Sequence, residues 1–196
     1  MKYIIKPAAT LLITAVITVA ALSLVYNLTL ESIEKQKRKT QEKAMMEVMP
    51  NVSEYRKMQI ELTGNITAIY EALHFTQVIG YVVQLSTEEG YSGTIDLIVG
   101  ISVPFEKITG MRILRHSETP GLGALATKEN FYRQFDGRDI IRLGVAKAMP
   151  GEHEIHAITS STITTKAITN AVNEVIEWYS STKVQDEELD EEGDEE

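Results

Sequence analysis

The hydrophobic pattern changes its period along this chain, and each period predicts a different element. Between Lys6 and Glu31 runs an uncharged stretch, "PAATLLITAVITVAALSLVYNLTL". As a helix rising about 1.5 Å per residue it reaches roughly 36 Å, enough for a hydrocarbon layer of about 30 Å. Pro7 is expected near the helix start, and Tyr3 and Tyr26 bracket the stretch as interfacial anchors. Residues 31–49, "ESIEKQKRKTQEKAMMEVM", mix acids and bases at helical spacing and end in Met45, Met46 and Met49, with Pro50-Asn51 as a stop. From Ile66 the pattern becomes β-branched and aromatic. "ITAIYEALHF", "QVIGYVVQLS", "GTIDLIVGISV" and "ITGMRILRHS" read as an antiparallel meander. "ALATKENFYRQFDG" (124–137) reads as a helix closed by Gly137, and "DIIRLGV" as a short strand. The last helix is expected from Thr162 to about Ser180, with an apolar stripe of Ile163, Ala167, Ala171, Val175 and Trp178 beside Ile168 and Val172.

The fold class is therefore α+β: an N-terminal transmembrane helix, then a compact domain with an antiparallel sheet and flanking helices. The expected organisation is an anchor at 1–30, a juxtamembrane helix at 31–50, a folded domain at 51–182 and an acidic disordered tail at 183–196. A cleaved signal peptide, with Val19–Ala21 as processing site, is the rival for the first segment. The apolar run continues past that site to Leu30, which favours a retained anchor.

Charge sharpens this picture. The net charge is −9. Its source is the tail, "DEELDEEGDEE", and acids balance bases elsewhere. Such a tail is expected to be solvated, with docking as its alternative use. No basic patch points to nucleic acid. Without cysteine, neither a disulfide, a thiolate-bound metal nor a Cys nucleophile is available. The histidines form no ligand pattern: His153 and His156 lack a partner pair, and His74 and His116 fall in predicted strands.

The chemistry concentrates at the start of the last helix. Thr159, Ser160, Ser161, Thr162, Thr164 and Thr165 crowd its first turn, with Lys166 following. β-Branched residues start helices poorly. Capping explains one or two hydroxyls. A helix N-terminus also carries free N–H groups and a partial positive charge, which suit a phosphate. Lys166 places a base where the dipole prefers an acid, which fits an anion bound nearby. Both capping alone and a phosphate-bearing ligand remain open on these grounds.

"HAITSSTITTKAI" (156–168) resembles the flavinylation motif of membrane-anchored FMN-binding subunits, Asp-x-x-Ser/Thr-Gly-Ala-Thr-x-Thr. "SETPGLGALA" (117–126) resembles the Glu-Thr-Pro-Gly-Leu-Gly loop of the same proteins, and "GYSGTIDLIVGIS" the strand before it. The resemblance spans roughly 1–180 and is closest to the G subunit family of the Rnf electron-transport complex; the C subunit of the sodium-pumping NADH:quinone reductase is similar. It implies FMN joined by a phosphodiester to Thr164, installed by a flavin transferase. It implies cofactor contacts from Glu118, Thr119, Pro120, Gly121, Leu122 and Gly123 and from Thr159, Ser160, Ser161, Thr162, Thr165 and Lys166. His156, Ser160 and Ser161 depart from the motif's Asp, Gly and Ala, and Thr165 is an adjacent hydroxyl, so the acceptor depends on register. A contact from His116 to the ring is a further option.

The implied function is electron relay inside an ion-translocating ferredoxin:NAD oxidoreductase, with other membrane subunits, membrane lipid and the flavin transferase as partners and no complete reaction from this chain alone. The quinone-reductase C subunit is the alternative. A membrane-tethered interaction protein without cofactor is the alternative of another class. The resemblance places the domain outside the cytoplasm on a single-pass anchor in the cytoplasmic membrane. Lys35, Lys37, Arg38, Lys39 and Lys43 argue for the opposite orientation by the positive-inside tendency.

Overall fold

The computed structural model describes residues 2–103 and 105–193, with side chains described for 5–103 and 105–183. The side chains of Tyr3 and of the acidic tail lie outside those described. Two compact units emerge, one ending at Gln41 and one beginning at Glu42. A single helix, α1 (Lys2–Val48), crosses that boundary. From Ile5 onward it contains an apolar window long enough to cross a membrane, with no part of that window buried. Pro7 lies inside α1 rather than at its first position. Membrane helices tolerate such a proline because the freed backbone groups find other partners.

The second unit is built on a five-stranded sheet in the order β1-β2-β3-β4-β5, every pair antiparallel. The expected meander is β2 (Ile66–His74), β3 (Gln77–Gly90), β4 (Gly93–Ser102) and β5 (Lys107–His116). An additional edge strand, β1 (Glu54–Lys57), is too short and polar to show in the pattern. Arg56 faces Glu71 in its register and donates to it at 2.7 Å. A short charged strand is a common way to end a sheet without inviting further pairing.

Both faces of the sheet are covered, which explains the nearly unbroken apolar run in β4. Alternate side chains serve different layers. Leu97 and Val99 join Val83, Leu85 and the buried face of the last helix, α3 (Thr162–Gly193). Ile98 and Val82 point the other way, to Met45, Val48 and Met49 at the end of α1. That end rests on a patch without side chains. A Cβ on Gly80 would lie 2.6 Å from the Met49 terminal methyl, and one on Gly100 would lie 2.8 Å from the Val48 carbonyl. Thr109 Oγ1 donates to the same carbonyl, satisfying an acceptor that a helix C-terminus leaves open. The last turns of the juxtamembrane helix thus belong to the folded unit.

Other expectations change. The segment expected as one helix at 124–137 divides into a 3-10 turn (Gly123–Thr127), α2 (Glu129–Tyr132) and a second 3-10 turn (Arg133–Phe135). Extended backbone at Lys128 breaks it. Burial of Ala126, Phe131 and Phe135 in the core overrides helix propensity here. The expected strand at 139–145 shortens to β6 (Gly144–Ala146), paired in parallel with β7 (Glu154–His156). Asn173 of α3 holds this ribbon, accepting from Leu143 N–H at 2.8 Å and donating to its carbonyl at 2.9 Å. α3 does not close near Ser180 but continues to Gly193, and so takes in most of the segment expected as a disordered tail. Between those residues lie good helix formers and neither glycine nor proline.

Gly100→Ala tests the seat of α1. Its Cβ would sit 2.3 Å from Thr109 Oγ1. The expected cost is about 1–3 kcal/mol, read as a drop in Tm of the full chain in detergent, without loss of sheet signal in circular dichroism.

Candidate functional site

The site forms where the start of α3 meets two loops. The β3–β4 hairpin closes through Tyr91 and Ser92, with Gly90 paired to Gly93 and Gly93 at φ +114°. The loop after β5 runs from Ser117 to Gly123, with Gly121 at φ +78°. Between β7 and α3, Ser160 adopts φ +62°. That is left-handed backbone, which glycine adopts without the Cβ penalty. Ser160 is the position where the resembling motif carries glycine, so the structure gives that glycine a physical reason.

These segments enclose a cavity of about 380 Å³, lined by Glu118, Thr119, Leu122 and Gly123 on one side and by Ser160 through Thr164 on the other, with Tyr91 at the hairpin. Its volume lies in the range of small-ligand sites. The wall is divided chemically. Tyr91, 70% exposed, Ile163, 54% exposed, and Leu122 supply apolar surface at the rim. Hydroxyls and the first turn of α3 supply polar groups.

Thr164 and Glu118 are both buried, at 1% and 6% exposure, and Thr164 Oγ1 donates to Glu118 Oε2 at 2.8 Å. Glu118 Oε1 accepts from Ser92 N–H at 3.0 Å, which joins the hairpin to the loop. The Glu118 N–H donates to His116 Nδ1 at 3.1 Å. Gly123 admits this arrangement: a Cβ there would lie 2.3 Å from Glu118 Oε2 and 2.7 Å from Thr164 Oγ1.

Thr165 is committed elsewhere. Its Oγ1 accepts from Ile158 N–H at 3.0 Å and donates to the Ser161 carbonyl at 3.0 Å, with no exposure to solvent. Thr169 continues inward by donating to the Thr165 carbonyl. Of the two adjacent threonines, Thr164 lines the cavity and Thr165 does not.

The other expected contacts divide in the same way. Thr159 lines a separate cleft with Lys128, Gln134 and His156. Pro120 and Gly121 shape the loop without lining the cavity, and Lys166 is exposed outside it. Ile163 leaves the core stripe assigned to it: it opens on the cavity, while Ala167, Ile168, Ala171, Val172 and Val175 are buried. Tyr91 is the residue sequence pattern did not supply. A lone exposed aromatic between two turn glycines is the signal that marks it.

A shaped cavity at a helix N-terminus, with a glycine loop and an apolar rim, fits a phosphate-bearing aromatic cofactor such as a flavin mononucleotide. Residues 90–177 match the family described as FMN-binding domain, and residues 1–48 match the one described as RnfG N-terminal region. The chain is 30% identical to the G subunit of the ion-translocating oxidoreductase complex of Methanosarcina acetivorans, over 92% of this chain and 96% of that protein. It is 31% identical to the G subunit of the Na(+)-translocating ferredoxin:NAD(+) oxidoreductase complex of Acetobacterium woodii, over 91% of this chain and 92% of that one. Among solved structures, the C subunit of the Na(+)-translocating NADH-quinone reductase from Parabacteroides distasonis shares the fold, with a TM-score of 0.53 at 18% identity over 72% of this chain and 90% of that one. The site and fold therefore define an FMN-binding-domain protein. Within that class, the chain belongs to the G subunit family of the ion-translocating oxidoreductase (Rnf) complexes.

Thr165→Ala should leave Ile158 N–H without its acceptor and lower stability by about 1–3 kcal/mol. Thermal unfolding in detergent reads this as a fall of several degrees in Tm.

Proposed function

We propose that this chain relays electrons within an ion-translocating ferredoxin:NAD oxidoreductase complex through FMN held covalently as a phosphodiester on Thr164. The observation that carries the reading is the split between the neighbouring threonines. Thr164 presents its hydroxyl at the cavity beneath the glycine loop, whereas the Thr165 hydroxyl is spent on backbone groups. The start of α3 offers N–H groups and a positive dipole end to the phosphate. Tyr91, Leu122 and Ile163 are the apolar groups available to the ring, and Thr119, Ser160, Ser161 and Thr162 the polar ones. Once held there, the flavin supplies the redox chemistry; the protein supplies attachment, orientation and exclusion of water.

Tethering suits a relay, because a carrier that cannot dissociate keeps its place between redox partners. The other subunits of the complex are the electron partners in this reading, a flavin transferase installs the cofactor, and lipid surrounds the apolar window of α1. The folded unit lies on the extracytoplasmic side. Protease added to intact spheroplasts should digest it; full protection would reverse the orientation.

Attachment has its own test. The full chain produced beside an active flavin transferase should gain one FMN phosphodiester by intact mass and fluoresce under ultraviolet light after denaturing electrophoresis. Thr164→Ala should lose both signals, and Thr165→Ala should keep them despite its lower Tm. Flavin retained by Thr164→Ala and lost from Thr165→Ala would move the acceptor by one position.

A further inference from the structure

We propose that Glu118 is the general base for flavin attachment, taking the proton from Thr164 as the phosphodiester forms. The inference rests on Thr164 as the acceptor. The direct observation is the 2.8 Å hydrogen bond from Thr164 Oγ1 to Glu118 Oε2 at a cavity that both residues line. A threonine hydroxyl is a weak nucleophile until a base removes its proton, and such a base must lie within hydrogen-bond reach.

The charge arrangement argues against a plain binding role. The start of α3 favours an anion. A buried carboxylate beside that position repels one, and would weaken a site made only to hold a phosphate. The same carboxylate is well placed to act before the ester exists. The proton it receives cancels its charge as the phosphodiester forms beside it.

The carboxylate is also held in place. Ser92 N–H occupies Oε1, leaving Oε2 for the threonine. His116 Nδ1 fixes the backbone of Glu118. Gly90 and Gly123 flank it: a Cβ on either would approach its oxygens to 2.8 Å and 2.3 Å respectively.

The step balances as follows. Thr164 Oγ1 forms a bond to the FMN phosphorus of FAD, supplied by the transferase. The bond from that phosphorus to the oxygen of the AMP half breaks, and AMP leaves with the electron pair. The hydroxyl proton passes to Glu118 Oε2. No oxidant or reductant is required.

The experiment uses the full chain in detergent with purified flavin transferase and FAD, following AMP release and intact mass. Glu118→Gln keeps an acceptor for the hydroxyl but is no base. The expected result is a fall in the transfer kcat of at least about 100-fold, with the KM for the chain as protein substrate unchanged and the fold intact by thermal melting. A loss below tenfold, or a change confined to KM, overturns the proposal. If Glu118→Gln melts below the assay temperature, Glu118→Asp decides. Its carboxylate is withdrawn from Oγ1 by one methylene, so a folded variant should lose at least tenfold in kcat, and the wild-type rate would overturn the assignment. Wild-type chain and Thr164→Ala run alongside. Flavin on the former and none on the latter keeps the acceptor reading intact whatever Glu118 does; any other result removes that reading and this inference together.

Discussion

The seating of α3 on the sheet is the constraint from which the site follows. Ala167, Ile168, Ala171, Val172 and Val175 are buried against strand side chains such as Val83, Leu97 and Val99. Their burial supplies most of the helix's stability. It also fixes the helix's rotation about its own axis. With about 3.6 residues per turn, successive side chains diverge by roughly 100°. Once the apolar stripe is down, Thr164 and Thr165 both fall on its buried side, and their partners separate them: the Glu118 carboxylate at the cavity for Thr164, backbone groups of Ile158 and Ser161 for Thr165. A rigid apolar contact along the body of the helix thereby holds both hydroxyls at its end against fixed partners, and only that of Thr164 lies at the cavity.

The loops around that hydroxyl are shaped by close approach. Glu118 sits where larger neighbours would exclude it, and the backbone of Ser160 takes a hand that most residues avoid. Strained or crowded backbone of this kind is characteristic of functional sites. Here it is stabilised from several directions: by the hairpin through Ser92, by His116 below the loop and by the inward hydrogen bonds of Thr165. The β6–β7 ribbon, held by Asn173, leads the chain into the turn before α3 at a defined position.

Much of this was legible from residue pattern. β2 to β5 carry the β-branched period, and the hydroxyl cluster does open a helix at Thr162. Short elements were hidden, because β1 and β7 are too brief for periodicity to rise above noise. The segment around Phe131 looked like a helix because local propensity says so, yet long-range burial decides its course. Within the site, the motif loop and hydroxyls named most of the lining. Tyr91 needed the hairpin's partner to be known, and the inward turn of Thr165 needed the sheet beneath α3. Ile163 shows the converse: helical spacing assigns it to the core, but it is more than half exposed and lines the cavity.

The hairpin carries a consequence for inherited variation. Gly90 lies outside both the glycine loop and the helix-start motif, yet a side chain there would meet the Gly93 carbonyl at 2.2 Å and Glu118 Oε1 at 2.8 Å. An allele altering it would strike the hairpin turn and the carboxylate together. In a genetic screen for chains that fail to acquire flavin, such an allele would fall in the same phenotypic class as changes to the helix-start motif. Its distance in sequence would disguise a shared defect, and its molecular signature would be a displaced carboxylate with every motif residue unchanged.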